Sequence, residues 1–311
     1  MWSQTTLMIS DKKYVITIVG TTAIGKTALG IKLANYFNCD IISADSRQFF
    51  KEMCIGTAVP SKEELNQAKH HFIQNLSIHD SYSVGDFERD ALEKIKELHV
   101  ENNIVILLGG SGLYVDAVLK GLDYFPKVSP EIRENLKIEL SKNGIESLQN
   151  KLKELDKESY KNIEISNPQR LIRALEICIG SGKPYASFLN KNKQDNRDFI
   201  SIKIGLTAER EIIYDRINKR VDIMINSGLV DEAEELYKHK HLNALQTVGY
   251  RELFSYFNDE ITLEFAIQEI KKNTRRFAKR QVTWFKRDES VKWFDYQEEI
   301  STVIKFLLQR F

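Results

Sequence analysis

The sequence predicts an α/β fold: a parallel β-sheet flanked by helices, with an inserted small helical domain. The first third of the chain alternates apolar, β-branched segments with helical patterns, which is the order of a parallel sheet. Residues 124–160 are charged, helical in period and poor in β-branched runs, whereas residues 198–210 alternate like a strand that rejoins the sheet. The predicted domains are a core, residues 1–124 and 191–311, and a helical insertion, residues 125–190.

The first predicted strand, residues 14–20 (YVITIVG), is followed by a predicted helix over residues 26–37. Between them, GTTAIGKT fits G-x-x-x-x-G-K-[ST], a P-loop whose backbone N–H groups hold phosphates at a helix N-terminus. Because strand, loop and helix follow in the required order, we expect a P-loop NTPase-like sheet. The motif leaves open whether the phosphate belongs to ATP or to a diphosphate leaving group. The candidate phosphate-binding residues are Gly20, Thr21, Thr22, Ala23, Ile24, Gly25, Lys26 and Thr27.

Two further strands are predicted over residues 40–46 (DIISADS) and 103–112 (NIVILLGGSG), with a helix over residues 91–103 before the second. Ligands of parallel sheets bind beyond the carboxyl ends of the strands. We therefore expect the loops after Gly20, Ala44 and Leu108 to face one crevice.

Asp45 is the acidic residue expected in that crevice. The strand IVILL ends in glycines without an acid, which disfavours a motor-type NTPase that holds magnesium through a strand-end Asp. Asp45 could act as a base or contact magnesium, or it could only close a turn or cap a helix. Ser111, which follows the glycines, could bond a substrate, but its spacing favours a cap on the helix of residues 111–122.

Later elements are also marked by the sequence. Residues 167–184 predict a helix with Asn167 as its N-cap and Pro168 at its first position. A short strand is expected within residues 290–296. Residues 271–287 (KKNTRRFAKRQVTWFKR) carry eight Lys or Arg and no acid, which favours binding of a polyanion. We expect Phe277, Val282 and Phe285 to pack, and Trp284 to stack on a base or join the core.

Several classes of protein are disfavoured by the composition. No apolar run reaches the length of a membrane span, and the N-terminus has no secretion-signal pattern, so we expect a cytoplasmic protein without a membrane association. The three cysteines are scattered and outside CxxC spacing, which argues against a disulfide framework and a structural zinc site.

Motifs along nearly the whole chain give the sequence a specific resemblance: GTTAIGKTALGIKLA, IISADSRQFFKEMCIGTAVP, GGSGLYVDAVLKGL, NPQRLIRALEI, QTVGYREL and TRRFAKRQVTWFKRD. It resembles the bacterial tRNA dimethylallyltransferases, which place an isopentenyl group on the adenosine beside the anticodon. The resemblance implies that the donor is dimethylallyl diphosphate, that the P-loop holds its diphosphate, and that Mg²⁺ lies near Thr27. It also implies that the insertion grips the anticodon stem of tRNA. The sequence leaves the oligomeric state open, and a monomer is the default expectation.

The resemblance assigns site residues as well. Asp45 matches the catalytic Asp that engages the adenine amine, Ser111 stands where a Thr is common, and Arg220 matches an Arg that stabilises the diphosphate. Ile24 departs from the family, which usually has Ser there. The implied tRNA-binding residues, together with those of the basic segment, are Asp45, Ser46, Arg47, Gln48, Ser111, Arg133, Gln169, Arg170, Leu171, Ile172, Arg173, Arg275, Arg276, Lys279 and Arg280.

Two other enzymes share part of this pattern. A P-loop kinase of a small metabolite has the same loop, strand-end Asp and sheet, but it needs no basic segment. An adenylate isopentenyltransferase, which prenylates free adenine nucleotides, needs neither the insertion nor that segment. A non-catalytic RNA-binding protein is disfavoured by the intact Gly25–Lys26–Thr27 and Asp45.

Overall fold

The computed structural model describes residues 12–189 and 197–311. The chain divides into two compact units, a first unit that extends to Leu119 and resumes at Arg197, and a second unit that begins at Lys120. The predicted boundary at residues 190–191 lies outside the described residues. No described helix is long and apolar enough to cross a membrane.

A six-stranded parallel sheet forms the centre of the first unit. Its strands, in chain order, are β1 Tyr14–Gly20, β2 Ile41–Ser43, β3 His70–His71, β4 Ile104–Leu108, β5 Ile200–Thr207 and β6 Lys292–Asp295. Their order across the sheet is β3-β2-β4-β1-β5-β6, so β4 returns between β2 and β1 while β5 and β6 are added on the other side. The direction of winding thus changes beside β1, which is where α/β sheets bind ligands.

The fold class predicted from the sequence is confirmed, including the return of β5 to pair with β1. The strands predicted over residues 40–46 and 103–112 are longer than β2 and β4, because the chain leaves the sheet at Ser43 and Leu108 to form loops. The loop after β2 begins with Asp45, and the turn after β4 contains Gly109 and Gly110.

Helices cover both faces of the sheet and extend beyond it. In the first unit they are α1 Lys26–Phe37, α2 Lys62–Gln67, α3 Val84–Glu101, α4 Gly112–Lys120, α8 Arg210–Asn226, α9 Leu229–Leu236, α10 Tyr250–Phe257, α11 Leu263–Phe285 and α12 Ile300–Leu308. α1 has the predicted bounds, whereas α3 begins before the predicted residue 91 because Ser83 and Asp86 form a capping box at Val84.

Alternate residues of β1 point to opposite faces of the sheet and enter two separate cores. Ile16 and Ile18 pack with residues of α1, α8 and α12, whereas Val15 and Val19 pack with residues of α3 and α4. A third core is formed by residues of the four helices α8, α9, α10 and α11, and it includes Phe50 from the loop after β2. This third core carries the helices that line the crevice described below.

The second unit is helical, as predicted. It contains α5 Pro130–Leu155, α6 Lys157–Asn162 and α7 Pro168–Ser181. Gly144 interrupts α5 with a φ of 73°, a left-handed value that suits glycine. Asn167 caps α7 by accepting hydrogen bonds from the N–H groups of Gln169 and Arg170, which confirms the predicted start of this helix.

Candidate active site

The loop after β1 has the backbone geometry of a phosphate-binding loop. Gly20 has a φ of 145°, and a Cβ at this position would lie 2.7 Å from the carbonyl oxygen of Leu206 on β5. Gly25, with a φ of 110°, precedes α1, whose N-terminus has no side-chain cap and no acid in its first turn among the described residues. The N–H groups and partial positive charge of this helix end are therefore available to an anion.

Side chains of the P-loop divide between the core and the crevice. Thr21, Ala23 and Ile24 are buried, and Ile24 packs with the core of α1 and β1. Ile24, where the resemblance leads us to expect a Ser, thus serves packing, and only its backbone is suited to bind a phosphate. Thr22, Lys26 and Thr27 line the crevice.

Lys26 and Asp45 carry opposite charges in this crevice. Burial lowers the pKa of the Lys26 ammonium to about 8, the Asp45 carboxylate opposes this shift, and the Arg220 guanidinium adds to it. The ammonium donates a hydrogen bond of 2.7 Å to the Thr21 carbonyl. Burial raises the pKa of Asp45, against the hydrogen bond from the Arg47 N–H and the charge of Lys26. The pKa of each group is thus shifted from its value in water toward neutral pH.

Asp45 also closes a turn, because its Oδ1 accepts the N–H of Arg47 at 3.1 Å. A structural role in the turn and a chemical role are therefore both compatible with its position. Ser111 bridges to the same loop: its Oγ accepts the N–H of Ser46 at 3.1 Å and lies 3.2 Å from the Ser46 hydroxyl. The hydroxyl that was expected to cap a helix instead joins the loop after β4 to the loop after β2.

Two arginines of α8 hold the P-loop from the other side. Arg220 Nη1 lies 3.4 Å from the Thr22 hydroxyl, and Arg216 Nε donates to the Ala23 carbonyl at 2.8 Å. Burial lowers the pKa of Arg220, and the neighbouring Arg216 charge adds to the effect. Arg216 was not among the site residues predicted from the sequence, although its spacing of four residues from Arg220 places both on one helix face.

The other residues of the loop after β2 are engaged within the protein. Arg47 Nη1 donates to the carbonyls of Asn243 and Ala244, each at 3.0 Å. Gln48 Nε2 donates to the carbonyls of Thr57 and Ala58 at 3.2 and 2.9 Å. Both side chains, which belong to the predicted tRNA-binding set, therefore also shape the wall of the crevice through contacts within the protein.

A stripe along α11 also faces the crevice. Ile270, Thr274, Phe277 and Gln281, which recur at helical spacing, line it. The prediction that Phe277 packs in the core is wrong: its side chain is 38% exposed, because this face of α11 borders the crevice. Phe285 is buried as predicted, and Trp284 packs against the core and donates to Asp116 Oδ2 at 2.8 Å. Gln281 was not among the predicted site residues. Its spacing of four residues from Phe277, which places both on one face of α11, is the sequence signal for its position at the crevice.

The cations of the basic segment have different surroundings. Lys271 pairs with Asp222 at 2.6 Å, and Lys272 pairs with Glu269, so these two cations have acidic partners outside the segment although the segment itself contains no acid. Arg275 donates to Asn218 at 2.7 Å and lies over the ring of Tyr214. The partners come from α8 or from the preceding turn of α11. Three cations of the predicted set are exposed on α11: Arg276, Lys279 and Arg280.

In the second unit, two predicted tRNA-binding arginines share one buried acid. Glu176, 3% exposed, pairs with Arg173 and, at 3.5 Å, with Arg133. Gln169 and Arg170 are exposed in the first turn of α7. The side chains of Leu171 and Ile172, also in the predicted set, are buried in the core of this unit, because they lie on the inward face of α7.

The crevice consists of two adjoining compartments. One is lined by the P-loop, including Lys26 and Thr27, and by the turn after β4. The other is lined by Ser46, Arg47 and Ser111, and by the segment Gln246–Gly249. This confirms that the loops after Gly20, Ala44 and Leu108 face one crevice. Residues that line both compartments mark their junction: Thr22, Asp45, Thr57, Ala58, Arg220, Met224 and Phe277.

Known proteins share both the sequence and this architecture. Residues 48–288 match the family model described as IPP transferase. A relative from Flavobacterium johnsoniae named tRNA dimethylallyltransferase is 63% identical over 303 residues, which cover 96% of this chain and 98% of the relative.

Solved structures agree. The tRNA isopentenylpyrophosphate transferase of Bacillus halodurans is 37% identical, with a TM-score of 0.70 and coverage of 96% of this chain and 95% of its own. A eukaryotic dimethylallyltransferase acting on tRNA is 25% identical, with a TM-score of 0.77 and coverage of 96% and 77%, respectively. The chain therefore belongs to the IPP transferase family.

Proposed function

We propose that the protein transfers the dimethylallyl group of dimethylallyl diphosphate to the N6 amine of the adenosine on the 3′ side of the anticodon in tRNA, and releases diphosphate. The relatives' names and their full-length similarity support this proposal. The observation that carries it in this chain is the position of Asp45. This carboxylate lies where a compartment built to bind phosphate meets a second compartment, as a transfer between two substrates requires.

The phosphate-binding compartment suits the departure of diphosphate. In the transfer, the adenine nitrogen forms a bond to the allylic carbon while the bond from that carbon to the diphosphate oxygen breaks. Negative charge develops on this oxygen. The N–H groups at the start of α1, the Lys26 ammonium and the Arg220 guanidinium are positioned to stabilise it.

Magnesium is part of the proposal, and the residues fit it. Thr27 offers a hydroxyl oxygen at the crevice, and Mg²⁺ commonly binds through few protein oxygens together with substrate phosphates. No group of three or more His, Cys, Asp or Glu that could hold an ion occurs in the described part of the chain. When bound, the ion would neutralise charge on the leaving diphosphate.

Asp45 suits the acceptor side of the reaction. An exocyclic adenine amine is a weak nucleophile, and its proton becomes acidic as the new C–N bond forms. A carboxylate can orient the amine by accepting a hydrogen bond and then take up that proton. Because burial raises the pKa of Asp45, it is a stronger base than an exposed carboxylate. The Ser111 hydroxyl is held against Ser46 and lies in the same compartment as Asp45, where it can form a hydrogen bond to the adenine.

Exposed cations supply a surface for RNA. A base in the anticodon loop must leave its stack to reach the crevice, which costs a few kcal/mol. Phosphate contacts by the exposed cations of α11, and by Arg133, Gln169, Arg170 and Arg173 in the second unit, would offset that cost. In this proposal the enzyme acts as a monomer in the cytoplasm.

A product assay tests the function. Purified protein is incubated with dimethylallyl diphosphate, Mg²⁺ and unmodified tRNA, and the digested tRNA is analysed for isopentenyladenosine by mass spectrometry. The matched control is the same tRNA with guanosine in place of the target adenosine. Product in the first tRNA alone is expected. Product on free AMP instead of tRNA would assign an adenylate isopentenyltransferase, and phosphoryl transfer from ATP to a metabolite would assign a kinase.

A further inference from the structure

Gln281 on α11 joins two loops of the crevice through one side chain. It is 5% exposed. Its Oε1 accepts the N–H of Thr22 at 2.8 Å, and its Nε2 donates to the carbonyl of Gly110 at 2.9 Å. Because a backbone N–H only donates and a carbonyl only accepts, these two partners fix the orientation of the amide. The P-loop and the turn after β4 are therefore held at a set separation.

The backbone around Gln281 is adapted to this contact. A Cβ on Gly110 would lie 2.4 Å from Gln281 Nε2, so a side chain at position 110 would displace the amide. Gly110 leads directly to Ser111, whose hydroxyl accepts the N–H of Ser46 beside Asp45. The chain of hydrogen bonds thus runs from the phosphate-binding loop through Gln281 to the loop that carries Asp45.

Two other side chains hold the P-loop but do not make this connection. Arg216 holds the Ala23 carbonyl and Arg220 lies near the Thr22 hydroxyl, and both side chains come from α8. These bonds hold the P-loop against α8. Of these three side chains, Gln281 alone spans the loops after β1 and β4.

We propose that Gln281 is a positioning residue for the transfer, which keeps the diphosphate-binding loop in register with Asp45 and Ser111. The inference rests on the proposed function and adds a residue to it. Small displacements of reacting groups have large effects on rate, of about 100-fold for 1 Å. Loss of Gln281 should therefore impair use of the donor, while RNA binding by the exposed face of α11 persists.

Steady-state kinetics of two variants test the inference. Gln281→Met keeps the length of the side chain and removes both hydrogen bonds. Gln281→Glu keeps an acceptor for the Thr22 N–H but opposes the Gly110 carbonyl with a carboxylate. We expect each variant to raise KM for dimethylallyl diphosphate, lower kcat, or both, with kcat/KM for the donor falling at least about tenfold. The dissociation constant for tRNA should stay within about twofold of wild type.

The matched control is Gln268→Met, which changes the same residue type at an exposed position of the same helix. It should leave all parameters unchanged. Unchanged donor kinetics in both Gln281 variants would overturn the inference. So would a parallel loss of tRNA affinity, donor kinetics and melting temperature, since that pattern indicates general destabilisation. An inactive wild-type enzyme would instead overturn the proposed function.

Discussion

The phenol of Tyr250 donates a 2.7 Å hydrogen bond to Oε1 of Glu232. The same carboxylate accepts the consecutive backbone N–H groups of Cys54, Ile55 and Gly56 at 3.0, 2.7 and 2.9 Å. A Cβ on Gly56 would lie 2.7 Å from the Tyr250 ring, so the loop can approach this pair only because position 56 is glycine. The pair from α9 and α10 therefore anchors the segment that continues into Thr57 and Ala58 at the crevice.

Glu232→Gln should weaken this anchor. The amide is neutral and accepts through one oxygen only, so every bonded N–H group loses its charged acceptor and at least one of them is left without an acceptor, at a cost of about 1–3 kcal/mol. We expect a lower melting temperature and a several-fold lower kcat/KM. The control is Glu235→Gln, an exposed acid on the same helix, which should behave like wild type. Equal melting temperatures for both variants would refute the anchoring role.

Asp45→Asn should remove turnover but retain tRNA binding. Loss of a general base typically costs about 100- to 10,000-fold in rate, whereas the amide keeps the shape of the turn. Asp259→Asn, which alters an exposed acid, is the control. Single-turnover assays and filter binding with labelled tRNA separate the two effects. A rate near that of wild type would remove Asp45 from the mechanism.

The pH profile for the donor should show an alkaline limb near pH 8. The pKa of Lys26 is lowered to about 8 in the donor-free enzyme, so the ammonium loses its proton above that pH and no longer attracts diphosphate. kcat/KM for the donor reports groups of the free enzyme and should therefore fall above pH 8. In Lys26→Arg the charge persists, so this limb should vanish even if activity is low. Persistence of the limb in that variant would contradict the assignment.

The acid side of the same profile depends on Asp45. Because burial raises its pKa, protonation should remove the base at a higher pH than an exposed carboxylate would allow. As the pH falls, activity should therefore be lost at a higher pH than the one at which an ordinary Asp side chain becomes protonated. A profile flat down to the ordinary range would argue against a proton-accepting role. Circular dichroism at each pH separates this loss from unfolding.

Exposed cations of α11 should set the salt dependence of tRNA binding. The double variant Arg276→Ala, Lys279→Ala should reduce the slope of log K against log salt by about one for each phosphate that the protein no longer neutralises. Arg275→Ala should change it less, because this side chain is engaged by Asn218 and Tyr214. Binding titrations at several salt concentrations measure both slopes. The reverse ranking would place Arg275, not the exposed pair, on the RNA.

Local patterns in the sequence were sufficient for the fold class and for the centre of the site. The alternation of strand and helix, the P-loop and the Asn167 cap depend on neighbouring residues, so they can be read directly. The placement of Asp45 followed from a general property of parallel sheets, whose strand ends meet at one edge.

Tertiary structure alone decided which side chains complete the crevice. Gln281 meets Thr22 across 259 residues of sequence, and Glu232 reaches the loop after β2 across 176 to 178 residues. The same holds for Asp222, which pairs with Lys271, and for the exposure of Phe277. Periodicity places a residue on a helix face, but what that face meets depends on the packing of helices far apart in the chain. The sequence by itself therefore determined the phosphate loop and the carboxylate, and packing determined the contacts that hold them in register.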